Sequence, residues 1–200
     1  FSDAIYGKEA NGRYVSKLRL EKMLDHEYQL LDQRLNRDNY KDTRFFIFAD
    51  TVSTINYSKT LKGHGWIGLR FQRTPDEKPS DFILHVKLND QDAKLQQETV
   101  GIIGTNLLHA CFTQNDPKII LKSLYDNLSK DQFEINMVEV VGPAFENIDN
   151  RLLSLTLVKE RMTNAVIFNP DGVNQQPSDI LYRKNILTMR GSFRPVTKVN

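Results

Sequence analysis

Three glycines stand at Gly63, Gly65 and Gly68 in the stretch KGHGWIGLRFQ, residues 62–72. G-x-G-x-x-G is the spacing of a dinucleotide loop, in which the chain closes on a pyrophosphate at a helix N-terminus. That chemistry needs a strand before the loop, a helix after it and an acidic residue ~20 positions further on. Here the glycines run into Trp66, Ile67, Gly68, Leu69, Arg70, Phe71 and Gln72, which alternate with period two. Period two builds a strand. The glycines are therefore expected within a strand and not in a phosphate cradle.

The same alternation suggests a different chemistry. His64, Trp66, Gly68, Arg70 and Gln72 share one face of the strand, and Ile67, Leu69 and Phe71 the other. Trp66 can stack on a flat ligand, Arg70 can grip a carboxylate or phosphate with two parallel bonds, and Gly68 leaves room between them. A purely structural reading is favoured over it: Trp66 under a helix, Arg70 paired with a carboxylate on a neighbouring strand. DFILHVKL, 81–88, also alternates, so His85 and Lys87 join this face if the two segments pair. His85 is one acid/base candidate, because imidazole titrates near neutral pH.

LQQETVGIIGTN, 95–106, supplies Gln97, Glu98 and Asn106 next to Gln96, with Glu98 the second acid/base candidate. Buried amides and carboxylates must find partners, either a ligand or a neighbouring strand. In the tail RKNILTMRGSFRPVT, Arg190 and Ser192 share strand parity. Arg190 and Arg194 are expected either to complete an anion pocket with Arg70 or to form a solvated basic edge. Arg151 beside Asp149 reads as a helix N-cap, with an anion site as the alternative. His109 in LLHACF reads as a hydrogen-bonded core histidine, and Cys111, two residues on, does not face it on a helix. His26, His64, His85 and His109 show no metal-binding spacing, so no metal is expected, and no cofactor is implied.

The elements that must position these residues follow from periodicity. Val15, Leu18, Leu24, Tyr28, Leu31 and Leu35 mark a helix over 14–35. RFFIFADT, 44–51, is an almost continuous apolar run and reads as a central strand buried on both faces. Strands follow at 65–72 and 81–88, suggesting an antiparallel pair. A mostly apolar helix covers 92–113, a second opens at Pro117 after Asp116, a strand covers 133–142, and a helix starts at Asp149 and runs to about Met162. Short strands are expected at 164–169 and 185–193. The order αβββααβαββ predicts an α+β fold with a mixed, largely antiparallel sheet and packed helices.

The bulk properties set limits on function. The chain has 200 residues, enough for one domain, 1–200, with a sizeable core. Its net charge of +2, with Lys and Arg scattered among Asp and Glu, disfavours nucleic acid as a partner. The single cysteine excludes an internal disulfide and fits a reducing, cytoplasmic setting. No apolar run reaches the ~20 residues of a membrane span. The chain opens at Phe1, so it is expected to be cut from a longer protein that holds the remainder of any site.

GRYVSKLRLEKMLDHEYQLL, FADTVSTINYSKTLKGHGWIGLRFQ, QQETVGIIGTNLLHACF, VGPAFENIDNRLLSL and RGSFRPVT together resemble a family of longer bacterial proteins. Its members carry inconsistent labels, either nicotinate- or nicotinamide-mononucleotide adenylyltransferase or TonB-dependent receptor. The first label implies an H-x-G-H loop for ATP phosphates; Gly63-His64-Gly65-Trp66 lacks the second histidine and leads into a strand. The second implies many amphipathic barrel strands, where this chain has strong helices. Three readings follow. One is a binding or catalytic domain for an anionic or nucleotide-like small molecule. The second is an interaction or scaffold domain without catalysis. The third is the adenylyltransferase that the resemblance implies. The first reading requires Trp66, Arg70 and Glu98 to converge on one concave surface. The second expects them paired internally.

Overall fold

The computed structural model describes residues 5–7, 15–35, 41–181, 183–188 and 191, without the side chains of 178 and 179. Each long helix begins where the sequence offers a cap. Ser16 accepts the Arg19 N–H at 3.1 Å and opens α1, Lys17–Arg34. Asp92 caps α2, Ala93–Thr113; Asp116, with Pro117 in the first turn, caps α3, Pro117–Ser123; Asp149 caps α4, Asn150–Lys159. The strands are β1, Phe46–Ser53; β2, Gly63–Phe71; β3, Ser80–Leu88; β4, Phe133–Val141; and two short ones, β5, Ile167–Phe168, and β6, Asn174–Gln175. A short helix α5, Pro177–Leu181, follows.

Among the described residues β1–β4 form one antiparallel sheet in the order β1-β2-β3-β4, and β5 and β6 pair separately. The fold is mixed α and β, as the element order predicts. Strand alternation sorts the sheet into two faces. Ile67, Leu69, Phe71, Phe82, Leu84 and Phe133 face α2, α3 and α4 and build the main core with Ile103, Leu107, Ile120 and Leu157. Ile47, Ala49, Trp66, Ile83 and Met137 face the other way, onto Leu20 and Leu24 of α1. One irregularity interrupts the ladder: His85 pairs with Met137 but Val86 with Ile135, so Asn136 is an extra residue in β4.

The glycine spacing has a packing explanation. A Cβ on Gly63 would collide with the side chain of Gln96, and one on Gly65 with the backbone of Thr51 and Val52. A Cβ on Gly68 would lie 2.9 Å from methyl carbons of both Leu20 and Leu24. Each glycine admits a different neighbour: a buried amide of α2, the backbone of β1, and the apolar stripe of α1. No helix follows them, and the phosphate-loop pattern is incidental.

Four expectations need correction. β1 is an edge strand and not a central one. Helices cover both its faces, which is what a continuous apolar run reports; periodicity carries no information about neighbours within the sheet plane. The buried side of α1 is Arg19, Leu20 and Leu24 with part of Met23 and Tyr28, and Leu18 and Leu31, expected on the apolar stripe, are exposed. The strand expected at 164–169 shrinks to two residues, while β6 and α5 arise in a segment to which the sequence periodicity assigns no element. Residues 185–188 form no strand, and the rest of that expected strand lies outside the described residues save Gly191.

Two substitutions check this packing. Gly68→Val is expected to lower stability by about 1–3 kcal/mol, because the fully buried Leu20 and Leu24 must yield. Gly101→Ala, whose Cβ meets nothing within 4 Å on the exposed side of α2, is expected to raise it by about 0.5–1 kcal/mol. Urea denaturation of both variants measures the contrast.

Candidate functional site

The β2–β3 register places His64 opposite Lys87, Trp66 opposite His85, Gly68 opposite Ile83 and Arg70 opposite Asp81. His64, Trp66, Arg70 and His85 therefore share one face, as the alternation predicts. Their surroundings divide that face into an apolar centre and two polar ends.

At one end Arg70 is committed. Its Nε and Nη2 donate to the two oxygens of Asp81 at 2.8 Å each, and its Nη1 donates to Asp25 at 2.9 Å. The two-pronged bond to Asp81 is the largest cause of a guanidinium pKa above its ordinary value. An anion arriving here meets an arginine already facing two carboxylates. Trp66 fills the apolar centre, only 6% exposed, with its ring edge-on to His85 at 4.9 Å.

At the other end His85 is buried within a polar cluster. Its Nδ1 lies 2.6 Å from Asn136 Oδ1. An amide oxygen only accepts, so His85 carries its proton on Nδ1 and turns a lone pair outward at Nε2. Facing Nε2 are His64 Nδ1 at 3.3 Å and the Gln176 amide at 3.0 Å. Burial drives the His85 pKa down to about 4, opposed by the bond to Asn136 and assisted by the charges of His64 and Lys87. The ring is neutral at pH 7. Asn136 is 1% exposed, and its Nδ2 has no hydrogen-bond partner among the described residues. Asn136 and Gln176 are the members of this cluster that sequence reasoning missed. Asn136 gave one signal, a lone amide inside the apolar run FEINMVEVV, whose buried side chain must find a partner. Gln176 gave none.

The remaining candidates stand elsewhere. Gln97 and Glu98 lie exposed on α2, in the layer across the sheet from Trp66; Glu98 is 3.9 Å from Lys94. Asn106, also on α2, donates to the carbonyls of Leu124 and Asp126 at 3.2 and 2.8 Å. Gln96 is buried and bonds Ile55 N–H at 2.7 Å and the Asp90 carbonyl at 2.7 Å, so the polar groups of this helix find backbone partners. Trp66, Arg70 and Glu98 do not converge. Arg190 and Arg194 lie outside the described residues. His109 is exposed rather than buried, and burial pushes the Cys111 thiol up to about 12. Among the described residues no three His, Cys, Asp or Glu side chains gather around a common point, and no helix is long and apolar enough to cross a membrane.

A second feature lies at the sheet edge. A groove of about 580 Å³ runs between Met23, Glu27 and Leu31 of α1, the helical residues Ile5 and Tyr6, and residues 46–50 of β1. The Gln72 N–H donates to the Phe45 carbonyl at 3.0 Å. Alternation then turns the backbone groups of Phe45, Ile47, Ala49 and Thr51 toward β2, and those of Phe46, Phe48, Asp50 and Val52 outward. The Asp50 carboxyl pKa is raised by burial, with a bond from the Val52 N–H pulling the other way; no cation pairs with it among the described residues. The opposite edge is capped at two positions. Asn150 donates to the Val140 carbonyl and accepts its N–H, both at 2.9 Å, and Ile135 N–H reaches the Met162 carbonyl at 3.1 Å.

No protein-family model, curated protein or solved structure matches this chain.

The buried imidazole predicts a pH dependence. The unfolded chain binds a proton near the ordinary 6.5, whereas the folded chain resists it down to about 4. Stability from this group is complete above pH 6.5 and falls toward pH 4 by on the order of 3 kcal/mol. In urea titrations with chelator present, His85→Gln is expected to flatten the stability profile between pH 7 and pH 4.5 relative to the parent chain. Parallel profiles would show that His85 is protonated in the folded state.

Proposed function

We propose that this domain is a protein-interaction module that takes an extended, basic segment of a partner polypeptide as an added strand beside β1. The asymmetry of the sheet edges carries this reading. Side chain and loop cap β4 at Val140 and Ile135, while β1 presents outward backbone groups beside an apolar groove. Among the described residues no strand pairs with this edge; such an edge invites association with an extended chain, and strand addition draws affinity from main-chain bonds and specificity from alternate side-chain pockets.

The groove also specifies charge. Its charged lining groups are Glu27 and Asp50, both acidic. Asp50 resists ionisation because it is half-buried, with no counter-ion among the described residues, and a Lys or Arg on an incoming strand supplies one. The same carboxylate opposes acidic partners. It also opposes a second copy of β1, which brings acid against acid. Two of the three expectations drawn from the sequence, the anionic ligand and the mononucleotide chemistry, find less support, since an anion at Arg70 must displace Asp81 and Asp25.

Selection from a displayed library of random octapeptides tests the proposal. Enriched peptides are expected to alternate apolar residues and to carry Lys or Arg. They should shift the amide resonances of Phe46, Phe48, Asp50 and Val52. Asp50→Lys is expected to weaken them about tenfold or more, a loss near 1.4 kcal/mol per decade. Peptides that map to another surface, that bind Asp50→Lys equally well, or a selection that enriches nothing, would each rule the reading out.

A further inference from the structure

The histidine cluster lies apart from the β1 groove and has an unbalanced set of donors and acceptors. With its proton held on Nδ1 by Asn136, His85 has one in-plane lone pair, at Nε2. Two groups approach that lone pair, His64 Nδ1 at 3.3 Å and the Gln176 amide at 3.0 Å. One lone pair cannot serve both groups well: His64 Nδ1 brings either a second N–H or a second lone pair, according to its tautomer. A single cation placed among the three groups satisfies them together. Imidazole nitrogens bind Zn²⁺ at about 2.0–2.1 Å, which sets two ligands of a tetrahedron roughly 3.3 Å apart. The His64–His85 nitrogen separation has this value. The Gln176 amide, turned over about its terminal bond, presents its oxygen instead of its NH₂, an exchange that leaves its shape unchanged.

We infer that His64 Nδ1, His85 Nε2 and the Gln176 amide oxygen form a binding site for a borderline divalent transition metal such as Zn²⁺, Ni²⁺ or Cu²⁺, with a fourth position open to water or an exogenous ligand. Imidazole donors favour these ions over Mg²⁺ and Ca²⁺. Asn136 supplies the outer support that a metal-binding histidine requires, an oxygen accepting the proton of the other ring nitrogen. Trp66, edge-on to His85, forms an apolar wall that fixes the ring. The ligands are separated by 21 and 91 residues, so no spacing rule reveals them. The hairpin register brings the histidines together, and the segment after β6 brings the amide.

Trp66 is the single tryptophan of the chain and reports on this position directly. Titrating the protein with NiCl₂ or CuCl₂ is expected to quench its fluorescence saturably at one ion per chain. EDTA should reverse the quenching, and so should excess ZnCl₂, a closed-shell ion competing for the same ligands. His64→Ala, at a half-exposed position, should abolish the saturable quenching while leaving the circular dichroism unchanged. Gln176→Leu should weaken it, and His109→Asn, at a distant exposed histidine, should leave it intact. No saturable quenching, or quenching that survives in His64→Ala, overturns the site.

Discussion

The pairing register of β2 and β3 is fixed in two independent ways. On one face Ile67, Leu69, Phe82 and Leu84 must all enter the main core, and a slip of one residue would turn them outward. On the other face the two-pronged bond between Arg70 and Asp81 forms only when these residues stand directly opposite each other. Both side chains are largely withdrawn from water. Losing Arg70 would strand the Asp81 charge, so the pair opposes misalignment more strongly than a surface ion pair does. The register then places Trp66 against His85 and brings His64 to the same cluster. The charge pair at one end of the hairpin thus sets the geometry of the polar cluster at the other.

Much of this was legible in the sequence, because strand alternation and helix caps are local signals. The period-two runs at 65–72 and 81–88 place His64, Trp66, Arg70 and His85 on one face, and Asp116 and Asp149 mark two helix starts. What stayed hidden is non-local. The alternation shows that Arg70 points away from the core, but only the register shows that Asp81 awaits it. The apolar run of β1 records burial on both faces and nothing about a missing neighbour in the plane. Asn136 joins His85 only because a bulge adds one residue to β4. Gln97, Glu98 and Asn106 looked like companions of Arg70 because polar groups on an apolar helix need partners. The carbonyls of Leu124 and Asp126 are invisible as partners until the loops are built.

The two sheet edges follow opposite strategies with the same chemistry. At β4 a side-chain amide imitates a neighbouring strand, so Val140 is satisfied as if the sheet continued. At β1 the Asp50 carboxylate occupies one outward N–H, that of Val52. The first device occupies both outward backbone groups of Val140. The second leaves most of the edge available and attaches a charge condition to its use.

Gln96 is a further consequence of the small residue at position 63. Its amide oxygen holds the backbone just after β1, and its amide nitrogen holds the backbone just after β3. One side chain of α2 therefore ties together two chain segments far apart in sequence. Neither segment can loosen alone without orphaning a buried polar group. Detachment of α2, fraying of the β1 exit and opening of the β3 exit then belong to a single cooperative unit in hydrogen exchange, and should share one opening free energy rather than three.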